Sequence, residues 1–160
     1  MKPAAKSANV GVDKVSDARL RDLVGYQMKR AFNVIQADLI HTLKPFGLRM
    51  LTYTALVLIV DNPRLRQSQL ADAMDIERPN LVVIIDELER RALINRDRVA
   101  SDRRAYALMA TLAGTDLAAA ASRAVAGHEQ RLLGAMDQGT RETVIAAMTQ
   151  IQQGQNGGAK

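Results

Sequence analysis

A mostly α-helical chain with one small β-hairpin is predicted by three observations. Apolar residues recur at three- and four-residue intervals through most of the 160 residues, the period of amphipathic helices. Only two stretches, Ile94–Val99 and Ala105–Met109, alternate with period 2, and the polar run Ala100–Arg104 between them reads as a turn. Hydrophobic residues make up 48% of the chain but aromatics only 3%, so the core must be built from Leu, Ile, Val, Met and Ala, which suits helices.

Taken in order, residues 1–16 are small, polar and lysine-bearing, and read as a flexible tail or an arm. A long helix is predicted from Ser16 or Asp17, either of which can cap it, to about Leu43. Its stripe is Leu20, Leu23, Val24, Ala31, Ile35, Leu39 and Leu43. Tyr26, Met28, Phe32 and Val34 widen the apolar surface beyond one stripe, which calls for a second partner such as another protomer. Lys44-Pro45-Phe46-Gly47 breaks this helix. A second runs from about Leu48 to Val60, with Leu51, Ala55, Leu56 and Ile59 inward, and Asp61-Asn62-Pro63 stops it.

Two short helices follow, Ser68 to Met74 and one opening near Arg78, joined by the turn Asp75-Ile76-Glu77. Pro79 falls in the first turn of the later helix, where proline is tolerated. That helix should bury Leu81, Ile84, Ile85 and Leu88. After the hairpin, an alanine-rich helix starts at Thr111, a capping turn occupies Asp137–Thr140, and a last helix covers Arg141–Ile151. Residues 152–160 read as a flexible tail. The expected organisation is one domain over 17–151. A lobe at about 48–111 sits between dimerisation helices at about 17–44 and 111–151.

Two short helices followed by a hairpin outline a winged helix-turn-helix, whose second helix enters the DNA major groove. On that reading Arg78 and Asn80 can make bidentate contacts to bases or phosphate. Pro79, Val82 and Val83 offer apolar contact to thymine methyls, or the valines simply pack under the wing. The wing residues Ser101, Asp102, Arg103 and Arg104 reach phosphates or a minor groove. Arg66, Ser68 and Gln69 at the first short helix, with Arg96 and Arg98 on the hairpin, complete the candidate contacts.

The helix opened by Arg78-Pro79-Asn80-Leu81-Val82 and closed by Leu88-Glu89-Arg90-Arg91, the Asp-x-Arg wing at Asp102 and Arg104, and the Thr-x-x-Gly entry at Thr111 and Gly114 together resemble the MarR family. Gly47-Leu48, Tyr53 and Leu56 also fit its second helix, so the resemblance covers roughly Leu20 to Ile151. It implies a homodimer on double-stranded DNA that responds to a small-molecule effector. The family's effector pocket would draw here on Arg30, Phe32, Asn33, His41, Arg49 and Tyr53. Arginine beside an aromatic suits an aromatic or acidic effector, including an anionic conjugate of an aromatic acid. Many relatives carry small hydroxyl residues around Pro79 and Val82 and an arginine at Val83, so the operator does not transfer.

Composition narrows the remaining classes. Cysteine is absent, which excludes disulfides, thiolate metal sites and cysteine redox sensing. No apolar run approaches the ~20 residues of a membrane span, and no signal-peptide core is present, so the cytoplasm is expected. His41 and His128 have no ligand-like neighbours in sequence and read as ordinary helix histidines, exposed or partly buried. No phosphate loop, nucleophile elbow or zinc motif occurs; neither enzyme, cofactor nor metal is expected. The net charge is +5, yet within residues 61–110 nine arginines are balanced by nine acidic residues. That balance supports an alternative, a helical dimer whose winged module binds another protein.

Overall fold

The structure is a computed structural model that describes residues 15–99 and 102–156, with side chains for 15–97 and 107–154. Packing divides the chain into two units, Met1–Val34 and Ile35–Lys160, and the boundary falls inside the first long helix.

In the N-terminal unit a single 3-10 turn covers Ala18–Leu20, and helix α1 begins only at Val24 (Val24–Leu43). The expected cap does not form. Asp17 makes no capping hydrogen bond; its carboxylate accepts from Arg21 Nε at 2.7 Å and Tyr26 Oη at 2.8 Å. Those bonds, Arg21 first, hold the Asp17 carboxyl below its ordinary value. With its carboxylate turned to Arg21 and Tyr26, Asp17 leaves the first turn without a side-chain cap, and the start of the expected helix closes as the tighter 3-10 turn.

The second unit takes the rest of α1 and continues with α2 (Met50–Asp61), β1 (Leu65–Arg66), α3 (Gln67–Met74) and α4 (Arg78–Arg90). After these come β2 (Ile94–Val99), β3 (Asp102–Ala110), α5 (Leu112–Leu133) and α6 (Gln138–Asn156). Gly47 takes the left-handed φ of +61° at the α1–α2 joint, a conformation without steric cost for glycine. Thr52 is buried in α2, where its hydroxyl accepts the Arg49 N–H at 2.8 Å. Leu51, expected inward, is exposed.

The β-structure is larger than the hairpin anticipated. The three strands are antiparallel in the order β1-β3-β2, with Leu65 opposite Leu108 and Arg96 also opposite Leu108 on the other side. A two-residue strand has no period to read, which is why β1 escapes sequence analysis. The polar run Ala100–Arg104 is not all turn either: Val99 pairs with Asp102, so Arg103 and Arg104 belong to β3, after an irregularity between Arg98 and Val99. Residues 100–101, and the side chains of 98–99 and of 102–106, lie outside the described set.

The core is aliphatic, as expected. Leu56, Ile59, Leu70, Ile85, Leu88, Ile94 and Leu108 are fully buried, each contributing roughly 1.5–3 kcal/mol by leaving water. The β3–α5 joint is closed. Thr111 Oγ1 accepts the Gly114 N–H at 3.0 Å and donates to Ala92 O at 2.8 Å. A Cβ on Gly114 would stand 2.0 Å from Leu93 O, so the Thr-x-x-Gly motif is a cap plus a position only glycine fits.

Helix α5 also packs against the second half of α1. His128, expected to be at most partly buried, is fully buried, with Nδ1 2.6 Å from Asp38 Oδ2. Arg131 Nη2 donates to the same oxygen at 3.0 Å. His128 first, then Arg131, lowers the Asp38 carboxyl pKa from its ordinary value. Helix α6 starts before Arg141 because Asp137 accepts the Thr140 N–H at 2.8 Å. It also runs past Ile151 to Asn156, overlapping the expected tail. Glutamines are adequate helix formers and the glycine at 154 costs only about 1 kcal/mol. Among the described residues no single helix is long and apolar enough to cross a membrane.

Candidate nucleic-acid interface

The second short helix, α4, carries the candidate site, and its faces follow from the ~100° that separates successive residues. Leu81, Ile84, Ile85 and Leu88 point inward and are buried. Opposite them Pro79, Val83, Asp86 and Arg90 form the outermost stripe, with Arg78, Val82 and Glu89 on one flank and Asn80, Glu87 and Arg91 on the other. Val82 and Val83 are 42% and 62% exposed. Both valines stay open on the outward half of α4.

The two flanks are fastened differently. On the wing side Arg96 of β2 pairs with Asp86, and its Nε lies 3.0 Å from Glu89 Oε2 in a charge contact rather than an aligned hydrogen bond. Arg96 is therefore engaged within the protein. On the other side Arg49, the residue preceding α2, pairs with Glu87. One turn further, Arg91 donates to Gly47 O at 2.7 Å and to Phe46 O at 3.0 Å. All three carboxylates of α4 are thus paired. Arg64, Arg66, Arg78 and Arg90 are exposed and have no ion-pair partner among the described residues. The one-for-one charge balance of the module hides this arrangement, because the acids on α4 hold other arginines in place.

The remaining candidates serve mixed roles. Arg66 occupies the cap position of α3, and a guanidinium has no acceptor with which to cap. Gln69 does half of that work, its Oε1 accepting the Arg66 N–H at 3.0 Å. Ser68 is half-buried in the same turn. Ser101 and the side chains of Arg98, Asp102, Arg103 and Arg104 lie outside the described residues, while the backbone puts Arg103 and Arg104 at the outer end of β3.

Beside α4 on the Glu87 flank lies a cavity of about 650 Å³. Ile40, Leu51, Ile76 and Val83 give it apolar walls, and Gln36, Arg49 and Asn80 its polar points. Sequence reasoning identified Arg49 but missed the contribution of α4: Asn80 lines the cavity from the flank, and Val83, on the edge of the outermost stripe next to that flank, borders it while remaining 62% exposed. Of the other predicted effector residues, Tyr53 bonds Ser122 Oγ at 3.1 Å and His41 is exposed near the end of α1. Arg30, Phe32 and Asn33 belong to the N-terminal unit. There Arg30 donates to Tyr26 Oη at 3.2 Å, Lys29 lies 5.7 Å from the Phe32 ring centre, and Asn33 is exposed. No cluster of three potential metal ligands occurs among the described residues.

The chain is similar to known proteins in both sequence and structure. The model of the MarR family matches residues 48–106. The putative transcriptional regulatory protein for the hcr operon of Thauera aromatica is 35% identical over 99 residues, which span 62% of this chain and 60% of that protein. Among solved structures, the transcriptional repressor CouR bound to a 23-mer DNA duplex superposes with a TM-score of 0.82 at 34% identity, covering 86% of this chain and 98% of that one. CouR from Rhodococcus jostii RHA1 bound to p-coumaroyl-CoA gives 0.74 at 29% identity, over 86% of this chain and 94% of the other. These relatives are transcriptional regulators rather than enzymes. With a winged module that matches the family's model and a fold shared along nearly the whole of a 34%-identical repressor, the chain belongs to the MarR family of transcriptional regulators.

Proposed function

We propose that the protein is a homodimeric repressor that occupies a pseudo-palindromic operator and leaves it when a small aromatic or acidic effector binds. The observation that carries this reading is the outermost stripe of α4. It presents exposed Pro79 and Val83, flanked by Arg78 and Val82, while every carboxylate on that helix is paired internally. The apolar pair Pro79 and Val83 beside the unpaired Arg78 and Arg90 suits a groove in which thymine methyls are read and phosphates are held. Arg103 enters the minor groove from the wing, with Asp102 and Arg104 bracing it.

Two copies are required to cover the apolar surface left exposed on α6 at Ile145, Met148 and Ile151. Their two recognition helices then meet half-sites about one helical turn apart. Under this proposal the effector belongs to the class represented by the p-coumaroyl-CoA bound by CouR, an aromatic acyl group on an anionic carrier. It acts by favouring a spacing of the two lobes that does not fit DNA.

Binding to the DNA upstream of the protein's own gene, compared with random DNA at two salt concentrations, tests the proposal. The regulator should prefer its operator by ~10³-fold or more, with affinity falling steeply as salt rises. Equal weak binding to operator-region and genomic fragments alike would favour the protein-partner alternative.

A further inference from the structure

Arg49 occupies two environments at once. It lines the cavity beside α4, and it is the partner of Glu87 on that same helix. Its side chain is 69% exposed, whereas that of Glu87 is 22% exposed, so the pair has one open member that can turn to another anion. The cavity is otherwise mostly apolar, and Arg49 is the only charged side chain among its described lining residues. A molecule that fits must therefore offer an apolar body to Ile40, Leu51, Ile76 and Val83, and at most one anionic group to Arg49.

Resting on the effector reading above, we propose that Glu87 is an internal competitor for the effector's anion. An effector that seats an aromatic or other apolar body in the cavity and brings one anionic group, its own or its carrier's, to Arg49 takes that arginine away from Glu87. The pair normally ties α4 to the start of α2, next to the Arg91 bonds to Gly47 and Phe46. Capture of Arg49 removes one of these two ties and leaves a carboxylate on the recognition helix without its partner. Glu87 thus sets both the affinity for the effector and the mechanical consequence of its binding. The same exchange explains why an arginine that would suit an anionic ligand is kept occupied when none is bound: an unpaired guanidinium at an apolar cavity would attract any anion in solution.

The test uses the full-length protein without DNA, so its outcome is independent of operator binding. Two fluorescent probes share an aromatic body: 8-anilino-1-naphthalenesulfonate, which carries one anion, and N-phenyl-1-naphthylamine, which carries none. Glu87→Gln should tighten the sulfonate probe by about fivefold or more, because its competitor is removed. Arg49→Gln should weaken that probe by about tenfold, the usual scale of a lost charge-assisted bond. Neither change should move the neutral probe by more than about twofold. Ile40→Trp, which narrows the cavity at its apolar wall, should weaken both probes. The proposal is overturned if both probes shift together in the charge variants or if Glu87→Gln leaves the sulfonate probe unchanged. Unaltered binding of both probes to Ile40→Trp overturns it as well.

Discussion

The recognition helix α4 is held on both flanks by an arginine reaching across to its carboxylates, yet the flanks are built to opposite ends. On the wing side Arg96 grips Asp86 and Glu89, and the chain leaving α4 is locked where Leu93 O meets Gly114 and Thr111 caps α5. On the α2 side Arg49 grips Glu87 beside a cavity of about 650 Å³. One flank fixes the helix against the sheet. The other leaves room for something to be added. Under the proposed function α4 presents a constant surface and also responds to a ligand, and tight packing and adjustable space on different sides of it allow both.

Adding volume to each flank breaks the symmetry most sharply. Gly114→Ala places a Cβ against a backbone carbonyl that cannot move independently, and should cost about 3 kcal/mol in urea unfolding. Ile40→Phe adds a comparable volume, but at the cavity, and should shift stability by less than about 0.5 kcal/mol. Similar costs for the two would mean that the cavity flank is as closed as the wing flank.

The next effect in size concerns charge. Arg96→Ala leaves Asp86 and Glu89 without their partner at the outer edge of α4. Operator affinity should fall by roughly tenfold, in the range of a lost arginine contact, although Arg96 itself need not touch DNA. Fluorescence anisotropy on an operator duplex measures it. Restoration of affinity when Asp86→Asn is added would separate this indirect role from a direct phosphate contact.

The smallest effect is a pH dependence behind the cavity wall. Asp38 lies on α1 between the cavity residues Gln36 and Ile40 and is bonded to His128 and Arg131 of α5. Its pKa is lowered in the folded state. The stabilisation is therefore complete above the unfolded value near 3.9 and is lost as pH falls through the lower folded one. Wild type should lose stability on acidification through that window, and Asp38→Asn should lose less of it, as followed by thermal unfolding between about pH 5 and 2.

Much of the fold was legible because its signals are local. The period of Leu81, Ile84, Ile85 and Leu88 fixes the buried side of α4, Pro79 marks its first turn, and Thr111 with Gly114 marks the entry to α5. What escaped depends on partners distant in sequence. Asp17 reads as a cap until Arg21 and Tyr26 claim its carboxylate. β1 exists only because β3 lies alongside it. Arg96 reads as a phosphate contact on a half-exposed strand, and nothing nearby in sequence announces its pairing across to α4. Asn80 reads as a base contact from its place in the first turn, and its place on the cavity wall appears only when α1 and α2 are set beside α4. The lining of the cavity was the least legible, since a cavity is made by elements meeting and not by any one of them.

That assignment of faces is the central claim, and a paired measurement tests it directly. Affinities of Val83→Ala and Asn80→Ala for operator and for random DNA should be compared in the same buffer. The account predicts that Val83→Ala lowers the operator-to-random ratio by about tenfold, the low end of the loss from one mismatched base pair, while Asn80→Ala leaves the ratio nearly unchanged. A collapse of selectivity in Asn80→Ala with a neutral Val83→Ala would contradict it, and would turn the cavity-facing flank of α4 towards the DNA.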